Sequence, residues 1–263
     1  MAYLFDHQWK AERERLAAME AAMDPFTIEH CQHIGVGEGW RCLEVGAGGG
    51  SIAEWLCKKV GPSGKVVATD LETKFLAAIE QPNLEVRKHD ISHDELERDA
   101  FDLAHARKVH EHMTDPWPAF QRMADAVKPG GWLFIEDTDL ATLRHVNTRR
   151  PELFAKGYAA FLGALGKAGF NPTLGINLGV HLRKLGFEQV QMVGTCREGN
   201  GNDGKGGKIY KLTFERLRPK MVESGALTAA EADEFLAEIC SADFAAVTAI
   251  HFGAWGRKPA STC

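Results

Sequence analysis

Leu16, Met19 and Met23 share one face of a 3.6-residue repeat between residues 11 and 23, with charged side chains opposite, which predicts an amphipathic helix. Asp24-Pro25 then reads as an N-cap followed by a first-turn proline, starting a second helix to about residue 34, and the glycines Gly35, Gly37 and Gly39 stop it. From residue 41 the period changes. RCLEVGA (41–47) is a short apolar strand ending in glycine, SIAEWLCKKV (51–60) a helix, and KVVATD (65–70) a β-branched strand ending in an acid. TKFLAAIE (73–80) reads as helix, LEVRKHD (84–90) and AFDLAHA (100–106) as strands, and PAFQRMADAV (118–127) as helix. The turn Lys128-Pro129-Gly130-Gly131 leads into the strand GWLFIEDTD (131–139). Strands that alternate with helices in this way specify a parallel sheet covered on both faces, so residues 40–137 form an α/β core.

The alternation breaks over residues 138–176, where a polar stretch precedes a helix carrying Leu153, Phe154, Phe161, Leu162 and Leu165, and the segment reads as a helical insertion over the sheet. Residues 179–187 and 188–195 resume a helix and a strand. The run EGNGNDGKGGK (198–208) is too rich in glycine to pack and is expected to be a mobile loop. A helix with Leu212, Leu217 and Met221 follows. Thr228 and Glu231 form a capping box for a helix to Cys240, and VTAIHFGAWGRK (247–258) reads as a last strand. The expected organisation is one domain over 1–263, divided into 1–39, 40–137, 138–176 and 177–263.

Composition narrows the class. The chain has 263 residues, 44% of them hydrophobic, with 31 basic against 36 acidic side chains and a net charge of −5, which is ordinary globular usage rather than a disordered or fibrous one. No apolar run approaches the ~18 residues of a membrane span, and MAYLFDHQWK lacks the apolar centre of a signal peptide, so a cytoplasmic protein without membrane contact is expected. An acidic balance without a basic stripe argues against nucleic acid and for a small-molecule partner. Cys31, Cys42, Cys57, Cys196, Cys240 and Cys263 contain no CxxC pair, so they are read as reduced thiols and no metal is expected.

The segment that carries chemistry is LEVGAGGGS, in which Glu44, Gly46, Gly48 and Gly50 fall at every second position at the end of the first core strand. Glycine lacks a Cβ and accepts positive φ, so such a strand-to-helix turn brings backbone N–H groups close to a ligand. A dinucleotide fingerprint would need its third glycine where Ser51 stands, and no Tyr-x-x-x-Lys pair supports a nicotinamide reductase. The run E-x-G-x-G-x-G instead resembles the first motif of the class I S-adenosylmethionine-dependent methyltransferases. Asp70 at the end of the second strand, His89-Asp90 at the third, FDLAHARKVHEHMTDP at the fourth and KPGG before the fifth continue the resemblance through residues 41–137. EHMTDP is similar to a stretch in the ubiquinone-type and related small-molecule enzymes.

The resemblance implies a doubly wound, mostly parallel, seven-stranded Rossmann-like sheet with N-terminal helices and a helical insertion after the fifth strand. It implies methyl transfer from S-adenosylmethionine, leaving S-adenosylhomocysteine, to an O, N or C nucleophile of a small molecule. Gly46, Ala47, Gly48, Gly50 and Ser51 would form the cofactor loop, and Glu44 would orient that loop and the cofactor's amino group or act structurally. Asp70, with Leu71 beside it, would accept the ribose hydroxyls. Asp90 would bind the adenine amino group or act as the N-cap of a helix over SHDELERD (92–99), with Ile91 packed on the ring, while Ala106 and Arg107 would lie along the methionine part. His105, His110 and His112 crowd the segment after the fourth strand, with His112 placed nearest the acceptor. Hydrogen bonding, a general base and a metal ligand all remain open for these three. His145, His181 and His251 are read as lid, helix and strand residues without chemistry. Residues 1–39, with Tyr3, Phe5, His7 and Trp9, would be the lid, and the insertion the acceptor wall. A protein that binds the cofactor without transferring methyl, and an RNA methyltransferase, are the alternatives. The sequence leaves assembly open, with a homodimer as one state.

Overall fold

The computed structural model describes residues 11–200 and 206–260. Helix α1 (Glu12–Ile34) leads to β1 (Arg41–Val45), α2 (Ser51–Val60), β2 (Lys65–Asp70), β3 (Leu84–Lys88) and β4 (Phe101–Arg107). Then come α3 (Trp117–Ala126), β5 (Val127–Asp139), β6 (Arg144–Asn147), α4 (Pro151–Lys167), α5 (Leu178–Lys184), β7 (Glu188–Thr195) and β8 (Glu198–Asn200). Helices α6 (Gly206–Glu223) and α7 (Ala229–Ile239) precede β9 (Ala245–Val247) and β10 (Ile250–Arg257). The main sheet has seven strands in the order β3-β2-β1-β4-β5-β10-β7, and β6, β9 and β8 form a second small sheet. Strands β1 to β5 pair in parallel, while β10 runs antiparallel between β5 and β7. This is the expected Rossmann-like sheet.

Strands in such a sheet are covered on both faces, which is why Cys42, Leu43, Val66, Val67, Leu103 and Ala104 are all fully buried. One apolar layer packs α3 and α5 against Leu43, Ala104 and Leu133, and the other packs α2 and the end of α1 against Cys42, Val66 and Phe134. A third core lies outside the sheet, where α4, α6 and α7 bring together Phe154, Phe161, Phe214, Leu217 and Phe235. Its rings meet edge to face, Phe161 to Phe214 at 4.5 Å and Phe214 to Phe235 at 5.1 Å, the arrangement favoured by aromatic quadrupoles. The Tyr158 hydroxyl donates to the Leu140 carbonyl at 2.6 Å and ties this cap to the end of β5.

Several expectations need correction. Residues 12–34 are one helix rather than two, with Pro25 inside it. Asp24 caps nothing, because its carboxylate is held by Arg107 and Ser51 from the sheet side. Residues 73–80 hold only a single 3-10 turn at Leu76–Ala78. The Lys128–Gly131 turn belongs to β5 as a register irregularity between Phe101 and Leu103. The proposed last strand is two, β9 and β10, which pair in different sheets. The glycine-rich run begins as β8 and ends in α6, and residues 201–205 lie outside the described residues, as do Tyr3, Phe5, His7 and Trp9. No helix among the described residues is long and apolar enough to cross a membrane.

Candidate active site

A cavity of about 750 Å³ opens at the C-terminal ends of the parallel strands, the usual place for a ligand in an open α/β sheet. One end is bordered by Gly46, Gly48, Asp70, Leu71, Asp90 and Ile91. Gly46, Gly48 and Gly50 hold φ of 66°, 57° and 90°, in the left-handed region that L side chains rarely adopt. At Gly46 a Cβ would collide with Val109, and at Gly50 with Ile79, whereas at Gly48 the nearest neighbour is the Leu16 side chain of α1 at 3.5 Å. The loop's donors turn inward. Gly46 N and Ala47 N both donate to the Thr69 carbonyl, Gly50 N to the Ala47 carbonyl, and Gly48 N to Asp70 Oδ2 at 2.8 Å. A pyrophosphate would need those amides free, so the loop suits a cofactor that presents no phosphate to it. Asp70 Oδ1 accepts from Glu72 N at 3.0 Å, which fixes the carboxylate at the rim. An ionised carboxylate has about four acceptor sites, so it retains capacity for ribose hydroxyls.

The roof and far end are largely apolar, with Arg15 of α1 and Arg197 also in the lining. Leu16, Met19, Met23 and Phe26 of α1 face Leu140, Phe161, Leu165 and Phe170 from the insertion and Ile209 and Tyr210 from α6. Helix α1 is fastened by Arg107, whose guanidinium donates to Asp24 Oδ1 at 2.8 Å and Thr27 Oγ1 at 2.8 Å, while Ser51 Oγ donates to the same Asp24 oxygen at 3.0 Å.

Under the cavity floor, buried ionisable groups run across four strands. Glu44 Oε2 meets His105 Nδ1 at 2.6 Å, His105 Nε2 meets Glu136 Oε1 at 2.9 Å, and Glu136 Oε2 meets His251 Nε2 at 2.6 Å. Burial opposes charge on His105, but the Glu44 and Glu136 carboxylates outweigh it and push the imidazole up to about 9. Burial would raise Glu136 too, yet its two histidine partners hold it well below the usual carboxylate range. Lys108 sits beyond the end of β4 at φ 61°, a strained position of the kind found at functional sites. Its Nζ donates to Thr138 Oγ1 at 2.8 Å and pairs with Glu111 at 2.6 Å.

The sequence-derived residues divide accordingly. Gly46, Gly48, Asp70, Leu71, Asp90, Ile91, Arg107 and His112 line the cavity. Asp90 also accepts from Ser92 N at 2.9 Å, closing a turn rather than capping a helix. Glu44 points under the sheet toward His105, Ala106 is fully buried in β4, and Ala47, Gly50 and Ser51 support the loop from behind the lining. His110 does not reach the cavity. It is fully buried, stacked on Phe120 at 4.1 Å, and burial drives it down to about 3. His112 meets the edge of Phe170 at 5.0 Å and is lowered by burial to about 4. No three metal-ligating side chains come together among the described residues. Sequence reasoning missed Lys108, Glu111, Glu136, Thr138 and His251. The available signal was the run Glu136-Asp137-Thr138-Asp139, four polar residues in an apolar strand, all of them buried.

Comparison with known proteins places this geometry. Residues 43–135 match the family described as methyltransferase domain. The sheet has the Rossmann-like methyltransferase fold. The chain is 35% identical over 135 residues to the ubiquinone biosynthesis O-methyltransferase of Paracidovorax citrulli, covering 48% of this chain and 55% of that one. It is 32% identical over 133 residues to methyltransferase str2 of Strobilurus tenacellus, covering 50% and 48%. The chain thus spans about half the length of the curated relatives it matches. Phosphoethanolamine N-methyltransferase 2 of Haemonchus contortus, solved with phosphomonomethylethanolamine and S-adenosylhomocysteine, superposes with a TM-score of 0.61 at 17% identity, over 98% of this chain and 61% of that one. The cyclase SpnF superposes at 0.52 with 17% identity, over 92% and 82%. At such identities the likeness is one of fold.

Proposed function

We propose that this protein transfers the methyl group of S-adenosylmethionine to an oxygen of a small, largely apolar acceptor. The observation that carries the reading is the single cavity that joins the inward-turned glycine loop and Asp70 to an apolar chamber under α1. S-adenosylmethionine supplies an activated methyl on a sulfonium. Asp70 and the loop would hold its nucleoside end, Ile91 and Leu71 would flank the adenine, and Gly46 and Arg107 lie toward the methionine end. The chain's own work is then to align the acceptor in line, exclude water and receive a proton. Phe26, Phe161, Phe170 and Tyr210 give the acceptor end its apolar walls. The O-methyltransferase relatives support oxygen as the methylated atom.

Calorimetric titration with S-adenosylhomocysteine, followed by assay of its formation from S-adenosylmethionine with hydroxylated aromatic acceptors, tests the proposal. Micromolar binding and acceptor-dependent product are expected. No binding would end the cofactor reading. Binding without product from any O, N or C acceptor would favour the role without methyl transfer, a possibility the shared fold with the cyclase SpnF keeps specific.

A further inference from the structure

His251 faces the cavity from the start of β10, yet nothing in the cofactor reading uses it. We propose that His251 is the catalytic base that takes the acceptor's proton, held by Glu136, with His105 as a positioning residue behind Glu136. The assignment rests on the proposed transfer to oxygen.

The tautomer is fixed by contact. Glu136 is ionised and accepts from His251 Nε2–H at 2.6 Å, so the lone pair of the neutral ring is at Nδ1. Nδ1 meets Thr138 Oγ1 at 3.4 Å, at the long limit of a hydrogen bond, and Thr138 already accepts from Lys108 at 2.8 Å. An acceptor hydroxyl can displace so weak a contact. His105 holds the second oxygen of Glu136 at 2.9 Å and is itself anchored by Glu44, so the carboxylate cannot swing away from His251. Phe26 of α1 covers the ring edge to face at 5.3 Å. Burial lowers His251 first, Glu136 pushes it back up, and Lys108 and Arg107 lower it further. The ring is therefore neutral, and able to accept, at ordinary pH.

Position agrees with the role. Thr138 of β5 is the register partner of His251, and β4 lies on the other side of β5. Adjacent strands are about 4.8 Å apart, so His251 stands roughly 10 Å across the sheet from the end of β4, which leaves room for an acceptor between it and the cofactor. His112 is the weaker candidate. Glu111, the carboxylate within 4.0 Å of it, is already paired with Lys108. In the step itself the acceptor O–H proton goes to Nδ1, the oxygen's electron pair forms the new O–C bond, and the C–S bond electrons remain on sulfur. The imidazolium returns the proton to water after product leaves.

The test uses 4-nitrophenol as an optical probe, bound to protein saturated with S-adenosylhomocysteine, in wild type, His251→Ala, His251→Asn and Glu136→Gln. Phenolate absorbance against pH reads proton affinity without turnover. The wild type should lower the proton affinity of the bound probe, and both His251 variants should restore it by about tenfold, with Glu136→Gln between. Turnover of less acidic phenols should fall about 10²–10⁴-fold in the His251 variants, while 4-nitrophenol, already ionised at pH 8, should lose far less. Equal ionisation of the probe in wild type and both His251 variants overturns the assignment, as does failure of the probe to bind the S-adenosylhomocysteine complex. If S-adenosylhomocysteine itself does not bind the wild type, the methyl-transfer reading falls first and this assignment with it.

Discussion

The sheet core around Leu43, Leu103 and Ile135 and the cap core around Phe161, Phe214 and Phe235 are both apolar and buried, but they are assembled differently. In the sheet, each strand end is fixed by backbone ladders on both sides, so Gly46, Asp70 and Arg107 are placed by the main chain. In the cap, aromatic side chains from α4, α6 and α7 define the chamber, and backbone pairing contributes only the short strands β6, β8 and β9. The glycine-loop end of the cavity is thus specified by backbone geometry and its apolar end by side-chain shape. The match to the methyltransferase-domain family stops at residue 135, within β5 and ahead of the cap.

The sharpest way to separate the two regions is Phe235→Ala. Phe235 is fully buried in the cap and does not line the cavity, so its truncation should cost about 3–5 kcal/mol in chemical denaturation. The folded variant should still bind S-adenosylhomocysteine within about twofold of wild type. Loss of that affinity would show that the cap shapes the cofactor end as well.

Asp70→Ala tests the other side. It removes an acceptor of the Gly48 amide and the charge-assisted bonds expected to ribose, each worth roughly 1.5–3 kcal/mol, so S-adenosylhomocysteine should bind about 10–100-fold more weakly in calorimetry. Acceptor KM should change little by comparison.

The buried histidines of the sheet give stability two opposed pH slopes. With His105 raised to about 9, the folded protein keeps between pH 6.5 and 9 a proton that the unfolded chain has released. That stabilisation is complete below pH 6.5 and fades as pH climbs through 9. His110, lowered to about 3, acts in the other direction: the unfolded chain gains a proton below pH 6.5 that the folded state refuses. Thermal scans should therefore give a maximum in Tm near pH 6.5, and His105→Gln should flatten the alkaline limb alone. An unchanged alkaline slope in that variant would mean that His105 is neutral in the fold.

Asp24→Ala should have the smallest effect. It breaks a part-buried clasp worth about 1 kcal/mol, so acceptor turnover should fall about fivefold with little change in Tm.

The legible and illegible parts of the sequence follow the same division. Helix α2 and strand β2 fall where periodicity places them, and the Thr228–Glu231 capping box is formed, because these are local patterns read by local backbone geometry. The break expected at Asp24-Pro25 is absent, since a carboxylate engaged by Arg107, 83 residues away, overrides the capping signal. The small sheet was unreadable because β6 is exposed along its whole length and carries no apolar alternation. The glycine loop announced itself in one segment, whereas Glu136 and His251 lie 115 residues apart and become a pair only when β10 inserts beside β5. Spacing along the chain carries no trace of such a pairing.

The Asp24 clasp has a further consequence. Its Oδ1 gathers Ser51, the first residue of α2, and Arg107, the last of β4, so the covering helix is latched to the two main-chain ends nearest the glycine loop. Ligand occupancy at the loop and closure of the helix are then linked quantities, and reciprocity requires each to favour the other by the same factor. Releasing both latches costs on the order of 1 kcal/mol, which would leave roughly one molecule in six open at any moment. Traffic into the chamber would then be metered by that minor population, and the exchange rates of amide hydrogens along α1, with and without S-adenosylhomocysteine, would count it.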